Sequence, residues 1–453
     1  MSKKYKVRCK GMDDLGRGKV IFNNKPFAVP YFLEREKGEI ELVFRAEHTG
    51  ARLVSLIETS PLRVEPPCPV YEKCGGCQLM HMSYEGQIAW KQKKIEALFP
   101  EEAKAGKISP IISMEEPWHY RHKVYASFSK KKGGAVEAGI YEENSHRVIS
   151  ADNCRIQNET ANEIVKEIVR LVKKTNTPVF NEDRRTGVFR HVYIRVGKET
   201  GQIMVVLVTG QPEFREKAVF VRELTKKFPQ ITTIVHNINP GHDSMVLGKK
   251  ETVLYGNGTI EDKLCGLTFE ISSKSFYQVN PVQTEKLYET AVSFAELTKE
   301  QTVLDAYCGI GTISLVAAKT AGQVIGVEVN KAAIEDAKTN AKKNNCNNVV
   351  FTAADAGEYM MHLAKDEKAA KPDVVFMDPP RSGSDKKFMD ALCAMAPETV
   401  VYISCNPETQ KRDTDYMKKK GYTVEKMQAV DCFCHTHHVE NVALLRKLRK
   451  ETE

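Results

Sequence analysis

The stretch TVLDAYCGIGTISLVAAKTAGQVIGVEVN, Thr302–Asn330, decides the fold. Its apolar run, Gly-rich turn, apolar helical pattern and second apolar run ending at Glu328 predict a strand–turn–helix–strand unit. In a doubly wound α/β sheet, such a unit holds a ligand over its first turn, and a carboxylate at the tip of the second strand accepts hydrogen bonds from ribose hydroxyls. Strands and helices alternate from about residue 271, which predicts a parallel sheet with helices on both faces.

The residues of this turn favour a cationic ligand over a dinucleotide. A nicotinamide-binding fingerprint would have glycine where Ser314 stands, and Asp305, on the approach to Gly309 and Gly311, would repel a pyrophosphate. S-adenosylmethionine carries an ammonium and a sulfonium and no phosphate, so the negative charge of Asp305 favours it as the ligand. Asp355, at the end of the next apolar run, is either a contact to the adenine or a helix N-cap.

A second informative stretch is VVYISCNPETQKRD, Val400–Asp413, in which an apolar run ends at Cys405. Strand ends in α/β proteins face ligands, so Cys405 is a candidate nucleophile as well as a candidate packing residue. Pro407 can begin a helix whose first N–H groups point towards the sulfur. A reactive thiol needs positive potential around it, which we therefore expect at Cys405.

The DPPR loop, Asp378–Arg381, narrows the choice of methyl acceptor. Enzymes that methylate exocyclic amines place an aromatic residue where this chain has Arg381, and RNA cytosine-C5 enzymes commonly carry a second cysteine in the loop. Uracil C5 fits better, because a thiolate that adds to C6 makes C5 nucleophilic, and a base then removes the C5 proton. The candidate base is Glu440, at the start of a C-terminal apolar strand. Rival bases and rival thiols lie just before it: His435, His437, His438, Cys432 and Cys434.

A cysteine cluster indicates a metal site in the first third of the chain. Cys68, Cys74 and Cys77 are spaced C-x5-C-x2-C, and Cys154 follows as a distant fourth candidate. Zinc more usually takes paired C-x2-C units, whereas a 4Fe-4S cluster takes four thiolates, often three of them close together. The residues alone leave both metals open.

Composition bounds the class of protein. The 453 residues carry a formal net charge of +8, which suits a polyanionic partner such as RNA. Basic residues in WHYRHK (Trp118–Lys123) and RTGVFRHVYIR (Arg185–Arg195) either face RNA phosphates or form solvated surface. The 12 cysteines, without a secretory signal, argue against a disulfide scaffold. No apolar run approaches the length that spans a bilayer, so we expect a cytoplasmic protein with no membrane partner.

Three regions follow one another along the chain. Short alternating runs over residues 1–60 predict an antiparallel β-barrel of the OB-like kind. Residues 61–270 form a predicted central α+β region. Within it, Tyr84–Phe99 is expected to be an amphipathic helix whose opposite face is basic, and this helix can pack on the catalytic domain. Residues 271–453 are the predicted catalytic α/β domain.

Five motifs together resemble one enzyme family. The set SFYQVN (Ser275–Asn280), DAYCGIGT, DPPR, ISCNP and HHVENV, in this order and spacing, resembles the RNA uracil-C5 methyltransferases, and among them the iron–sulfur-containing 23S rRNA (uracil-5-)-methyltransferases. With the cysteine cluster and the N-terminal barrel, the resemblance covers essentially the whole chain. It implies a class I (Rossmann-like) methyltransferase domain, a central iron–sulfur domain and an N-terminal RNA-binding barrel of the TRAM type.

The resemblance also implies roles for single residues. Cys405 would be the nucleophile and Glu440 the base that takes the C5 proton, with Gln278 and Asp378 close to the target base. The family positions that line the cofactor are matched by Gln278, Tyr307, Thr312, Glu328, Asp355 and Asp378, beside Asp305, Gly309 and Gly311 of the turn. The family's distant fourth cysteine favours a 4Fe-4S cluster on Cys68, Cys74, Cys77 and Cys154.

The expected activity is therefore S-adenosylmethionine-dependent C5 methylation of uridine in 23S rRNA, through a covalent bond between Cys405 and C6. We expect a monomer that binds RNA and no DNA. Two alternatives stay open: a methyltransferase for the T-loop uridine of tRNA, and a non-catalytic RNA-binding protein that retains the fold. Bacterial tRNA enzymes generally lack the barrel and the cluster, which favours rRNA over tRNA.

Overall fold

The structure, a computed structural model, describes residues 3–44, 49–131, 133–142, 145, 147–150, 152–241, 245–366 and 371–448. None of the helices in these ranges is both long and apolar enough to cross a membrane. Five strands fill the N-terminal region: β1 (Lys4–Arg8), β2 (Gly18–Phe22), β3 (Lys25–Val29), β4 (Lys37–Phe44) and β5 (Thr49–Glu58).

The N-terminal strands form two small antiparallel sheets around one apolar cluster. One sheet has the order β1-β4-β5, and β2 and β3 form a hairpin. Val7, Val20, Phe32 and Ile40 are buried between the two sheets. Within the described part of this region the two ladders are separate, so the closed barrel of residues 1–60 stays a prediction.

Next along the chain come three helices and one strand, followed by a seven-stranded sheet. The first four elements are α1 (Tyr71–Cys74), α2 (Tyr84–Leu98), α3 (Pro100–Lys104) and β6 (Ile108–Ile112). The sheet and its helices are β7 (Lys123–Lys130), β8 (Val136–Tyr141), β9 (Val148–Ser150), α4 (Glu159–Lys174), β10 (Phe189–Val196), β11 (Ile203–Thr209), α5 (Lys217–Lys227), β12 (Ile231–Ile238) and β13 (Lys250–Tyr255). The strand order is β13-β12-β11-β10-β7-β8-β9.

Strand β11 explains how this sheet is held. Val205 and Leu207 face one side and pack with α4 and α5, whereas Met204, Val206 and Val208 face the other side and join the core of the C-terminal region. Side chains of a strand alternate between its two faces, so a strand that is buried on both faces needs a continuous apolar run. The central sheet is therefore clamped between its own helices and the C-terminal elements.

The C-terminal region begins with the hairpin β14 (Thr259–Leu264) and β15 (Leu267–Ser272) and continues into the predicted α/β domain. Its further elements are α6 (Pro281–Ala295), β16 (Thr302–Asp305), α7 (Thr312–Ala318), β17 (Gln323–Glu328), α8 (Lys331–Lys343), β18 (Val349–Ala353), α9 (Ala356–Lys365), β19 (Val374–Met377), α10 (Lys386–Met395), β20 (Thr399–Ser404), α11 (Pro407–Lys419), β21 (Tyr422–Val430) and β22 (Glu440–Lys447).

The large sheet has the order β18-β17-β16-β19-β20-β22-β21-β6. The five strands from β18 to β20 are parallel, and β22 runs antiparallel to both of its neighbours. The strand–turn–helix–strand unit predicted over Thr302–Asn330 is confirmed as β16, α7 and β17. By its chain position, β6 falls in the predicted central region, but by its hydrogen bonds to β21 it extends the C-terminal sheet. The division into three domains stays a prediction.

Helix α2 has a buried lysine as well as an exposed one. Lys91 is 0% exposed, and its Nζ donates hydrogen bonds to Asp431 Oδ1 at 2.5 Å and to the Phe433 carbonyl at 3.0 Å. Tyr84 Oη donates to the other carboxylate oxygen of Asp431 at 2.9 Å. Residue type alone does not show that a lysine of the predicted basic face meets a buried carboxylate from a distant segment.

The basic stretch Arg185–Arg195 also differs from both interpretations of its sequence. Arg190 and Arg195 are buried. The Arg190 guanidinium donates to Glu182 and to the Asn239 carbonyl, and that of Arg195 donates to the Ser275 carbonyl. These two cations hold the backbone and neighbouring side chains instead of facing phosphates or solvent.

We expect Lys91→Met to lower the free energy of unfolding by about 3–5 kcal/mol, because it leaves the Asp431 carboxylate buried without its cation. The double variant Lys91→Met/Asp431→Asn removes that bare charge and should be more stable than Lys91→Met alone. Urea unfolding measures both. Lys93→Met, on the exposed side of α2, is the matched control and should change stability by less than about 0.5 kcal/mol. Equal stability of the Lys91 and Lys93 variants would contradict the structural role of the pair.

Candidate active site

The register between β20 and β22 brings the two candidate catalytic side chains together. In this antiparallel pair Ser404 lies opposite Asn441, and the same register continued by one residue places Cys405 opposite Glu440. Side chains that face each other across antiparallel strands have Cβ atoms about 4.5–5.5 Å apart. A thiol and a carboxylate from distant parts of the sequence therefore become neighbours.

Buried amides lock this register. Gln410 Nε2, on α11, donates to the Tyr402 carbonyl at 2.9 Å and to the Asn441 carbonyl at 3.1 Å. In return, Asn441 Nδ2 donates to Gln410 Oε1 at 2.7 Å. One helix side chain thus holds β20 three residues before Cys405 and β22 one residue after Glu440.

The DPPR loop is attached to the first turns of the same helix. Asn406 Nδ2 donates to the Arg381 carbonyl at 2.9 Å. The Asp413 carboxylate accepts from the Ser384 N–H at 3.0 Å and from Tyr402 Oη at 2.8 Å. Since β19 and β20 are parallel neighbours, Asp378 at the end of β19 reaches the same edge of the sheet as Cys405.

Two buried carboxyl groups, Asp305 and Glu440, and the half-buried Asp378 share this edge, and loss of solvent raises the pKa of each. The pKa of Asp305 rises to about 6. Burial and the charge of Asp305 raise the pKa of Asp378 to about 7. Burial and the charge of Asp378 raise that of Glu440 to about 8, while Arg381 acts in the opposite direction. The three groups interact, so a change in the charge of one changes the protonation of the next.

Burial first, and then the charges of Glu440 and Asp378, raise the pKa of Cys405 to about 11 in the ligand-free protein, while Arg381 acts in the opposite direction. The positive potential expected at Cys405 stays a prediction. A cation bound at this edge would lower the pKa of the thiol.

The Gly-rich turn leaves one carboxylate oxygen for such a cation. Ser314 Oγ donates to Asp305 Oδ2 at 2.6 Å, whereas the buried Asp305 Oδ1 has no hydrogen-bond partner among the described residues. Gly311 has φ +85°, and a Cβ there would lie 2.8 Å from the Phe351 ring, so glycine is required at this position. An ammonium donor satisfies the unpaired oxygen, as expected for S-adenosylmethionine.

Other cofactor candidates are held around the turn. Glu328 accepts from the Gly309 N–H at 3.3 Å and from the Asn330 N–H at 2.9 Å, which fixes the carboxylate at the tip of β17. Tyr307 Oη shares a hydrogen bond with Ser384 Oγ at 3.3 Å and so links the turn to the segment after the DPPR loop.

Asp355 is the N-cap of α9. Its carboxylate accepts a hydrogen bond from the Glu358 N–H at 2.9 Å, which is the capping geometry considered from the sequence. Capping uses one of its oxygens, Oδ1. The proposed contact to the adenine stays a prediction.

Tyr288 is a residue of this site that the sequence did not single out. It is buried on α6, and its Oη shares a hydrogen bond with Thr312 Oγ1 at 3.4 Å. Burial raises its pKa, and the charges of Asp378, Asp305 and Glu440 raise it further, which places it among all three carboxyl groups. Its sequence signal is that of an ordinary core aromatic residue on a helix.

Gln278 lies in the segment 275–279, between β15 and α6, and is partly exposed. The next polar residue, Asn280, caps α6 through a hydrogen bond from the Gln283 N–H at 3.2 Å. Asn280 Nδ2 also donates to the Cys432 carbonyl at 3.1 Å. The segment with Gln278 is thus tied to the connection between β21 and β22, which leads to Glu440.

The rival bases and thiols are buried or half-buried among packed residues. His435 is buried, stacks on Trp118 with ring centroids 4.0 Å apart, and shares a hydrogen bond with Gln87. Burial lowers the pKa of His435 and of His437 to about 4, and that of His438 to about 3. Burial also raises the pKa of the two rival thiols, Cys432 and Cys434. Packing describes these residues better than catalysis does.

The four clustered cysteines line one cavity of about 370 Å³, which we call the cysteine cavity; they are Cys68, Cys74, Cys77 and Cys154. Burial raises the pKa of Cys77, and the charges of the other three cysteines raise it further. In the described part of the chain, no three His, Cys, Asp or Glu side chains are grouped to hold a single metal ion. A 4Fe-4S cluster takes four thiolates, and this cavity is where the four cysteines of the predicted site meet.

Comparisons with known proteins identify the family and the relatives of this chain. The family model described as tRNA (Uracil-5-)-methyltransferase matches residues 83–448. An uncharacterized RNA methyltransferase of Halalkalibacterium halodurans is 42% identical over 414 residues, covering 91% of this chain and 90% of its own length. Another, of Oceanobacillus iheyensis, is 42% identical over 445 residues, covering 97% of this chain and 96% of its own length.

A solved structure shares the fold over nearly the whole chain. It is the tRNA (uracil-54, C5)-methyltransferase of Pyrococcus abyssi in complex with S-adenosyl-L-homocysteine, with a TM-score of 0.76 at 24% identity. The match covers 97% of this chain and 100% of the other. The α/β fold predicted for the catalytic region is thereby confirmed.

We expect Glu440→Gln to stabilise the cofactor-free protein, and more so at higher pH. In the folded state the pKa of Glu440 is about 8 instead of 4.5, so the wild type loses stability as pH rises through this range, whereas glutamine has no charge to bury. The variant should gain on the order of 2–4 kcal/mol relative to the wild type between pH 5 and pH 9. Urea unfolding at both pH values measures the gain. Glu289→Gln, at an exposed position of α6, is the control. A gain that does not grow with pH would contradict the raised pKa.

Proposed function

The chain belongs to the tRNA (uracil-5-)-methyltransferase family, and from this membership we propose that it methylates C5 of specific uridines in 23S rRNA through a covalent cysteine adduct. The coarser activity follows from the family: the protein is an RNA uracil-C5 methyltransferase that takes its methyl group from S-adenosylmethionine. The support for the proposed chemistry is the register of β20 and β22, which brings Cys405 opposite Glu440 when it is continued by one residue beyond Ser404 and Asn441.

The proposed reaction divides the work between these two side chains. Cys405 Sγ forms a bond to C6 of uracil, and the electron pair of the C5=C6 bond moves into the enolate. C5 then takes the methyl group, which S-adenosylmethionine supplies as an electrophile on its sulfonium. The Glu440 carboxylate removes the proton from C5, the C5=C6 bond re-forms, and Cys405 leaves as a thiolate.

The buried charges support an order for these events. Without a ligand, Glu440 and Asp378 oppose the ionisation of Cys405. The ammonium and the sulfonium of the cofactor offset the carboxylates at the same edge of the sheet. We therefore propose that the cofactor binds before the thiolate forms, with Asp305 Oδ1 accepting from the cofactor's ammonium.

The remaining cofactor assignments are proposals supported by position. They concern residues on the turn after β16, at the tip of β17, at the N-cap of α9, after β19 and in the segment before α6: Tyr307, Gly309, Gly311, Thr312, Glu328, Asp355, Asp378 and Gln278. We propose that Gln278 and Asp378 also face the uracil. The target base must leave its stack to meet the thiol and the sulfonium together.

We propose that Cys68, Cys74, Cys77 and Cys154 hold a 4Fe-4S cluster. The support is their common cavity, which all four cysteines line, together with the cysteine pattern of the sequence. The cluster would stabilise the central region, because methyl transfer from S-adenosylmethionine is redox-neutral and needs no electron carrier.

The second candidate substrate is the T-loop uridine of tRNA. The observation that favours it is the match to the Pyrococcus abyssi tRNA enzyme over 97% of this chain and 100% of that one. A chain of this overall architecture is therefore compatible with a tRNA substrate. The proposal of 23S rRNA is supported by the cysteine pattern and by the motifs that resemble the rRNA enzymes.

We expect Glu440→Gln, mixed with S-adenosylmethionine and substrate RNA, to accumulate a covalent protein–RNA complex, since the methylated adduct keeps its C5 proton and cannot release Cys405. A denaturing gel detects the complex as a band of lower mobility. Cys405→Ala should form no complex and no product. Glu289→Gln should turn over like the wild type. Normal turnover by Glu440→Gln would remove Glu440 from the mechanism, and methylation by Cys405→Ala would remove the adduct.

We expect deletion of the gene to remove 5-methyluridine from one or more positions of 23S rRNA and to leave the tRNA T-loop modified. Mass mapping of digested rRNA and tRNA measures both, and complementation with Cys405→Ala should not restore the modification. Loss from tRNA with unchanged rRNA would reject the rRNA target and favour the second candidate.

A further inference from the structure

The segment 275–279, which carries Gln278, has no secondary structure of its own to fix it. It lies between the end of β15 and the start of α6, and its Phe276 side chain is 63% exposed. Backbone carbonyls of such a segment need donors from outside. Three donors come from the central sheet: the Arg195 guanidinium to Ser275 O, the Lys123 ammonium to Tyr277 O at 3.3 Å, and the His122 N–H to Val279 O at 2.8 Å.

The backbone next to the donors at positions 122 and 123 is hydrogen-bonded to a segment that lines the cysteine cavity. The Arg121 N–H donates to the Ile156 carbonyl at 2.8 Å, and the Asn158 N–H donates to the Arg121 carbonyl at 3.0 Å. These bonds join residues 121–123 to the segment that begins at Cys154. Residues 121–123 thus separate a cysteine-bearing segment on one side from the segment with Gln278 on the other.

Lys123 contacts both the cysteine cavity and the segment 275–279. Its side chain lines the cysteine cavity, while its Nζ reaches Tyr277 O and lies 5.0 Å from the centroid of the Phe276 ring. Its charged neighbours are the cations Arg195 and Arg121, and no carboxylate of the described residues forms an ion pair with it. Lys123 is half-buried, and burial together with these two cations lowers its pKa to about 7, so a negative charge nearby would hold it in its charged form.

A cluster in the cysteine cavity would supply that charge, since four thiolates outweigh the positive charge of its iron–sulfur core. Arg121, Lys123 and Arg155 line the cavity against a single carboxylate, Asp152. Negative charge in the cavity would hold the Lys123 ammonium in place beside Tyr277 O. Without that charge, repulsion from Arg121 and Arg195 favours its escape to solvent.

We propose that Lys123 is a positioning residue that makes the placement of Gln278 depend on negative charge in the cysteine cavity. The proposal rests on the proposed cluster and on the proposed place of Gln278 at the substrate. It assigns the cluster a second effect beyond stability: a loaded cavity orders the segment 275–279 through Lys123.

Hydrogen exchange of the amides in residues 275–279, followed by mass spectrometry, tests this proposal without RNA. In the wild type, iron removal should speed their exchange by about tenfold or more. In Lys123→Met the exchange should be fast with and without iron, while Lys123→Arg should keep most of the dependence on iron. Lys198→Met, at an exposed lysine between β10 and β11 that forms an ion pair with Glu199, is the control and should behave like the wild type.

Kinetics of the iron-loaded proteins give a second readout. Lys123→Met should bind as much iron as the wild type and keep its KM for RNA within about twofold, but lose about tenfold in kcat, because the loss lies in orientation and not in affinity. Iron removal should then reduce its kcat by a smaller factor than in the wild type, since both changes disturb one contact.

Each contrary outcome has a separate meaning. Equal exchange of residues 275–279 with and without iron in the wild type overturns the coupling, and this comparison decides even if Lys123→Met does not fold. Iron-dependent exchange and normal kcat in Lys123→Met also overturn it. A protein that takes up no iron overturns the cluster and the coupling together, whereas a wrong RNA target leaves the exchange result intact.

Discussion

The antiparallel register of β20 and β22 is the constraint on which the site depends. It sets a thiol opposite a carboxylate, and Gln410 and Asn441 hold that register with hydrogen bonds whose partners are buried. A slip of β22 by one residue would turn Glu440 to the face of the sheet opposite to Cys405. The proposed covalent chemistry therefore depends on strand pairing as much as on the identity of Cys405 and Glu440.

Uncompensated negative charge marks the same edge of the sheet. Asp305 and Glu440 are buried and Asp378 is half-buried, all three with raised pKa values, and one oxygen of Asp305 has no hydrogen-bond partner among the residues that the structure describes. Burying such groups costs stability, which a core without a function would avoid. A cationic cofactor relieves this cost and lowers the pKa of the thiol, so binding and activation are coupled by one electrostatic interaction.

The central region takes part in the site through the connection between β21 and β22. Lys91 pairs with Asp431 at its start, Trp118 stacks on His435, and Tyr120 Oη donates to the Cys434 carbonyl at 2.9 Å. The N–H groups of Gln78 and Leu79, next to Cys77, both donate to the His435 carbonyl. The segment that leads to Glu440 is thus built from contacts with residues 78–120, which explains why the two regions share cores as well as a sheet.

The sequence by itself determined the local elements and the chemistry they can carry. The unit β16–α7–β17, the glycine at position 311 and the placement of Cys405 at a strand end all follow from periodicity and residue type, which act over a few neighbouring residues. Only the tertiary structure decided that Glu440 comes close to Cys405, that β6 joins the C-terminal sheet, that Lys91 is buried and that burial and two carboxyl groups raise the pKa of Cys405. Each of these features depends on contacts between segments far apart in the chain. Local sequence patterns do not predict which distant charge or strand a residue will contact.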